Sequence, residues 1–197
     1  MTVPDTRTRI EQALLELIAA GDRLNHDGVA ARAGVSRRTV YRYFPDQDAL
    51  RAAMWRQLSP PAGMPSTLEG LLNGLAPTFE NFDAKASAMT VAMASPEGRA
   101  VRNVMKPRRV AAYRAIVDDA GVTLPEPDRT YATAVIQLLA SGFAWREMRD
   151  QWGMTGAEIA AASRWAIETL LADLRHRGDK PLAAAAAPPE RETAAAE

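Results

Sequence analysis

Residues 33–50 read AGVSRRTVYRYFPDQDAL. Three arginines and two tyrosines crowd about a turn and a half of helix, directly after Gly34-Val35-Ser36. A core helix has no need of that charge, and a solvated helix has no use for the aromatics. The pattern fits a helix with one buried face and another aimed at something negatively charged. Gly34 permits a sharp turn, Val35 fills the angle it makes, and Ser36 is a natural N-cap. The helix it opens runs to about Tyr43. Val40 and Phe44, four residues apart, mark its inner face. Phe44-Pro45 ends it, and Asp46 caps a following helix from Gln47 to about Leu58 whose inner stripe is Leu50, Met54 and Leu58.

Upstream, Ile10, Leu14, Leu17 and Ile18 fall on one face of a helix from Thr6 to Ala20, with Gly21 as its stop. A short helix from about Asp27 to Ala33, capped by Asn25 or His26, leads into the Gly34 turn. Helix, Ala-Gly-Val turn, helix is a helix-turn-helix, in which the second helix enters the major groove of DNA. Arg37 and Arg38 sit on its first turn, where the positive helix end also favours phosphate. Arginine pairs bidentately with guanine O6 and N7. Ser36, Arg37, Arg38, Thr39, Arg42 and Tyr43 point outward or along the ends. Arg42, Tyr41 and Tyr43 are placed for phosphates, which set register rather than sequence. Tyr41 also fits a mostly core ring whose hydroxyl alone reaches a phosphate.

Composition bounds the rest. The chain has 197 residues, is 47% hydrophobic, and carries 24 cations against 24 anions, so any nucleic-acid surface must be local. There is no cysteine, which removes disulfides, thiolate metal sites and thiol nucleophiles. The two histidines, His26 and His176, do not make a metal site. No Ser/His/Asp set, glycine-rich phosphate loop or metal cluster suggests catalysis, and no cofactor is expected. Glu147 and Asp150 sit among Arg146 and Arg149 as a solvated charged face. No signal segment and no apolar run near the ~20 residues of a membrane span is present, which reads as a cytoplasmic protein with no membrane partner.

Beyond Leu58, the stretch SPPAGMPS (59–66) reads as a proline-rich linker between two domains. Ser66-Thr67-Leu68-Glu69 looks like a capping box that opens the second domain. Helices follow at Asp83–Ala94 and from Ser95-Pro96-Glu97 to Ala120, where Pro107 leaves one kinked helix or two. Gly121–Pro127 is a loop. A long helix from Asp128 to Trp152 is apolar over a wide arc (Tyr131, Val135, Leu138, Gly142; Ala134, Leu139, Phe143, Trp145), which asks for two partners. Thr155-Gly156-Ala157-Glu158 is a second capping box, opening a last helix to about Arg175. From Gly178 the chain is alanine, proline and charge, read as disordered. The expected fold is all-α: a DNA-binding domain over 1–58 that includes the linking helix 47–58, a helical regulatory and dimerisation domain over 67–177, and a tail over 178–197.

The segments RIEQALLELIAAGD, VAARAGVSRRTVYRYF and PDQDAL resemble the TetR/AcrR family of transcriptional regulators. The resemblance is close over about the first 60 residues and architectural beyond them. It implies that Arg37, Arg38, Thr39 and Tyr41 meet bases and that Tyr43 and His26 meet phosphates. The family commonly has a phosphate-contacting lysine where this chain has Gln47, and Gly28 lies inside the second helix; both are departures. The resemblance further implies a palindromic operator in double-stranded DNA and a homodimer built through helices 128–152 and 155–175, which the wide apolar arc supports independently. Repression is its default role. It also implies an effector pocket; Phe79, Phe82, Met89, Met93, Met105, Trp145 and Trp152 could line one, which would suit a small, mostly apolar molecule. The same residues are ordinary core residues if the protein is instead governed by a protein partner.

Overall fold

The computed structural model describes residues 5–59, 63–178 and 180–182. Among them every regular element is an α-helix: α1 Thr6–Ala19, α2 His26–Ala33, α3 Arg37–Tyr43, α4 Gln47–Leu58, α5 Leu68–Ala84, α6 Ala86–Ala94, α7 Pro96–Val104, α8 Lys106–Asp119, α9 Asp128–Leu139, α10 Gly142–Trp152 and α11 Gly156–Arg177.

Local chemistry sets most of the helix starts. Asp5, Asn25, Ser36 and Asp46 each accept the backbone N–H three residues on, satisfying an amide that the first turn leaves free. Thr155 and Glu158 form the reciprocal capping box of α11. The first four helices enclose Ile10, Leu14, Leu17, Ile18, Leu24, Val29, Val40, Leu50 and Met54, all buried.

Four expectations need correction, and one alternative left open by the sequence, over 96–120, is decided. The cap of α5 is Thr67, whose hydroxyl takes Gly70 N–H at 3.1 Å, and not Ser66. Asp83 belongs to α5, which runs through Pro77, and the next helix begins only at Ala86. The 96–120 stretch is two helices parted at Met105, because Pro107 cannot donate to residue 103 and is tolerated only in a first turn. The 128–152 stretch is also two helices. Ser141 breaks it: its Oγ accepts Phe143 N–H at 3.1 Å while donating to the Leu138 carbonyl at 2.7 Å. Finally, Leu182 is not loose. Its N–H donates to the buried Asp128 carboxylate at 3.0 Å and its side chain packs beside Tyr131, Ile136 and Leu174. Residues 179 and 183–197 of the expected tail, and 60–62 of the expected linker, lie outside the described residues.

The second set of helices packs directly on the first: α1 lies against α6 and α4 against α7, and the apolar interior is continuous across the junction. The last carbonyls of α4 find partners in α5 and its end. Asn81 Nδ2 donates to the Leu58 carbonyl at 3.0 Å and Lys85 Nζ to that of Gln57 at 2.5 Å. A cation at a helix C-terminus is favourable, although burial pushes the Lys85 pKa down.

Two glycines permit helix–helix approach that no other residue would. A Cβ on Gly98 would lie 2.0 Å from the Ala92 carbonyl oxygen, and one on Gly156 would lie 2.7 Å from the Phe79 carbonyl group. Backbone cannot step aside cheaply, so Gly98→Ala is expected to destabilise the fold by about 2–3 kcal/mol despite alanine's better helix propensity. Urea unfolding monitored by far-UV circular dichroism reads this as a lower midpoint with an unchanged slope.

Candidate nucleic-acid interface

The turn between α2 and α3 has the geometry its residues dictate. Gly34 sits at φ +63, in the left-handed region that glycine enters without strain. The Val35 N–H closes the end of α2 on the Ala30 carbonyl at 3.0 Å. Val40 is wholly buried and Phe44 nearly so, which fixes α3 by its inner face. Ser36, Arg37, Arg38, Tyr41, Arg42 and Tyr43 are then exposed on one short helix and its cap, with Thr39 half-buried beside them.

These side chains are not equally free. The Ser36 hydroxyl is committed to the cap, accepting Thr39 N–H at 3.1 Å and bonding the Thr39 hydroxyl at 2.8 Å. Arg37 is held in place: Nε lies 3.2 Å from Asp27 Oδ1, Nη2 donates to the Tyr41 hydroxyl at 3.3 Å, and the guanidinium stands 5.4 Å from the Tyr41 ring centre. The Tyr41 hydrogen bond and then the Asp27 charge raise the Arg37 pKa above its ordinary value. Arg42 lies over the Tyr43 ring at 5.2 Å. Arg38 forms no ion pair among the described residues. Asp27 escaped the sequence reading. It is an acid on the first turn of the preceding helix, and only the angle of the turn brings it to Arg37.

His26 is placed differently from the expectation. Its side chain is buried, its ring stacks on Tyr41 at 3.9 Å with 6° between the planes, and Nε2 lies 2.8 Å from the Phe44 carbonyl. A carbonyl only accepts, so Nε2 carries the proton. This ring braces the two ends of the motif instead of facing a phosphate, and it makes Tyr41 part of that brace. Gln47 is likewise engaged within the fold, where its amide donates to the Leu24 carbonyl and ties α4 to the α1–α2 connection. Gly28 packs on Leu17, with room for a Cβ only at contact distance from Leu17 and the Asn25 cap. His26→Phe keeps the stack but strands the buried Phe44 carbonyl. It is expected to cost about 1–3 kcal/mol in thermal or urea unfolding.

The residues expected to line an effector pocket do not gather into one. Phe79, Phe82 and Trp145 are buried and pack edge to face, with ring centres 6.0 Å apart at both contacts. Trp145 Nε1 donates to Asp83 Oδ1 at 2.8 Å, and Asp83 Oδ2 accepts Gly156 N–H at 2.6 Å. Met89 is buried and Met93 half-buried against Gly142; Met105 is half-buried at the α7–α8 break. Trp152 is 78% exposed and lines no interior space. Arg146 pairs with Asp150 at 3.3 Å on the open face of α10. Among the described residues no cluster of three or more His, Asp or Glu could hold a metal, and no helix is long and apolar enough to cross a membrane.

Residues 16–54, which span the end of α1, all of α2 and α3 and most of α4, match the family model of bacterial regulatory proteins of the tetR family. No curated protein matches the chain. Among solved structures, the chain is similar to a tetR-family transcriptional regulator from Streptomyces coelicolor, at 22% identity over 89% of this chain and 84% of that one, with a TM-score of 0.57. It is also similar to NalD, the secondary repressor of the MexAB-OprM multidrug efflux pump in Pseudomonas aeruginosa, at 17% identity over 90% of this chain and 98% of that one, with a TM-score of 0.53. At such identities the likeness is one of fold. Residues 16–54 thus carry the helix-turn-helix signature of the tetR family of bacterial regulatory proteins, set in an all-helical chain of similar fold.

Proposed function

We propose that the protein is a homodimeric transcriptional repressor that binds a palindromic operator in double-stranded DNA and is released from it by a small effector. The observation that carries the DNA reading is the outer face of α3. Arg37 and Arg38 stand exposed on the first turn of a helix whose angle is set by the Gly34 turn and whose inner face is locked by Val40 and Phe44. Arginine at this place offers a fork of donors to guanine, and the flanking Arg42 and Tyr43 suit the phosphates on either side.

A single helix of this size reads too few base pairs to be selective, so a second copy is required. The exposed apolar residues support one. Tyr131, Val135 and Leu138 rise along α9, each at least 44% exposed, with Phe143 and Trp152 on α10 and Trp165 at 71% on α11. Side chains of this size left in water in such number mark a surface that another protein covers. The proposed dimer interface is therefore α9, α10 and α11, with the first two replacing the single long helix read from the sequence.

Selection of bound fragments from a random duplex DNA pool by the purified protein tests the reading. The expected outcome is an inverted repeat with half-site centres about one helical turn apart, or a multiple of it. Light scattering is expected to give twice the 21.4 kDa chain mass. A direct repeat, or no enriched motif even at low salt where phosphate contacts are strongest, would sink it.

A further inference from the structure

From Gly98 to Val117 the chain carries six cations, Arg99, Arg102, Lys106, Arg108, Arg109 and Arg114, and no acid, although the whole chain is neutral. Among the described residues only Arg114 has an ion-pair partner, Glu126 at 3.5 Å. The acid just upstream, Glu97, is taken by Arg51 of α4 at 3.4 Å. The bland reading of such a run is a solvated face, and for Arg99, Lys106 and Arg108, which are exposed, that reading suffices.

Arg102 and Arg109 are different: both are half-buried, where α4, α6, α7, α8 and α10 come together. The Arg102 guanidinium lies 5.0 Å from the Phe143 ring centre and donates through Nη1 to the Ala92 carbonyl. That of Arg109 lies 5.2 Å from the Trp55 ring centre and donates through Nη1 to the Arg102 carbonyl at 3.2 Å. Each helix-end carbonyl offsets part of one charge. Nη1 is the one nitrogen of each guanidinium that bonds within the described chain, which leaves the other donors of both forks over. Burial holds both guanidinium pKa values down, and for Arg102 the charges of Arg109 and Arg99 add to the effect. The nearby Tyr113 supplies no counter-charge: burial pushes its pKa up to about 12, so the hydroxyl stays neutral. The remaining donors of both forks are open to water, and an anion that reached them would exchange that water for charge-assisted, forked hydrogen bonds to two neighbouring like charges that lack a carboxylate.

We propose that Arg102 and Arg109, held against the rings of Phe143 and Trp55, form a binding site for a small carboxylate at the break between α7 and α8. The site gives the effector of the proposed repressor a chemical class, an anion in place of the mostly apolar molecule expected from sequence. It rests on that reading only for its regulatory consequence, since binding is measured without DNA.

The test is thermal unfolding of the full chain in sodium benzoate, in sodium phosphate and in sodium chloride at equal ionic strength. Benzoate at about ten times its Kd is expected to raise the midpoint by about 3 °C or more over chloride. Arg102→Gln and Arg109→Gln are expected to lose that rise while melting no lower than the wild type in chloride, because the amide keeps a donor for the carbonyl and removes an unpaired charge. Arg109→Lys, which keeps the charge but not the fork, is expected to need at least about tenfold more benzoate. Equal midpoints in benzoate and chloride, a rise in phosphate alone, or a benzoate response that survives in both glutamine variants would overturn the site. So would a lower midpoint of either glutamine variant in chloride, which would make the arginines structural. A failed operator selection with an intact benzoate response would instead count against the repressor.

Discussion

Replacing Arg37 and Arg38 together with alanine is expected to lower affinity for the selected operator by roughly two to four orders of magnitude. Each arginine that pairs with a guanine contributes about 1–3 kcal/mol of discrimination, and two such losses on one helix turn sum to about 2–6 kcal/mol. Non-specific DNA should be released far less, because the phosphate contacts remain. The single variants separate the two roles. Arg37 must give up its Asp27 contact at 3.2 Å before it can turn fully to a base, and an exposed ion pair of this kind is worth about 1 kcal/mol or less. Arg38 has no such debt, so Arg38→Ala is expected to be the more damaging single change. Titration over a range of salt decides between base and phosphate. If the arginines meet bases, the slope of log K against log salt barely changes; if they meet phosphates, it falls by about 0.9 per contact and all sequences weaken alike. The second result would refute the base-reading role.

Trp145→Ala is expected to destabilise the protein by about 3–5 kcal/mol, enough to consume a large part of an ordinary domain's stability. The indole is wholly buried, its edge meets Phe82, and Arg149 covers it at 5.2 Å. Its loss removes apolar burial, leaves a cavity between α10 and α5, and takes away one partner of Asp83. Because Asp83 also receives the Gly156 N–H, the damage reaches the start of α11. Trp145→Phe isolates the polar part: most of the ring area stays, the hydrogen bond to Asp83 goes, and the expected cost falls to about 1–3 kcal/mol. Urea unfolding of both variants checks the split. Near-equal costs would mean that the Asp83 bond, and not the packing, holds this junction.

Most helix starts were legible along the chain because a cap is a local event. A serine, threonine, aspartate or asparagine satisfies an amide three residues away, so Ser36, Asp46 and the Thr155–Glu158 box announce themselves whatever surrounds them. The Gly34 turn is local in the same way, and with Val40 and Phe44 inward it leaves Arg37, Arg38 and Arg42 outward. That Tyr131, Val135 and Leu138 share one face follows from helical period alone once α9 is a helix; that this face stays exposed is decided by the fold.

What required the folded molecule is non-local. At the break made by Ser141, Gly142 lies so close to Met89 and Met93 that a Cβ there would meet the Met89 side chain at 2.8 Å, and nothing in the run 128–152 records those neighbours. His26 looks like a free imidazole beside an arginine-rich helix until Tyr41 stacks on it and the Phe44 carbonyl, eighteen residues away, accepts its N–H. Asp27 meets Arg37 across the turn; Trp145 joins Asp83 across sixty-two residues. Phe79 and Phe82 share with Trp145 a composition that suits a pocket equally well, and only packing shows that they fill their own space. The unpaired state of Arg102 and Arg109 belongs to the same class. A sequence displays the cations, but whether an acid lies within reach is decided by the elements that close around them, since a charge is neutralised by its neighbours in space and not by those in the chain.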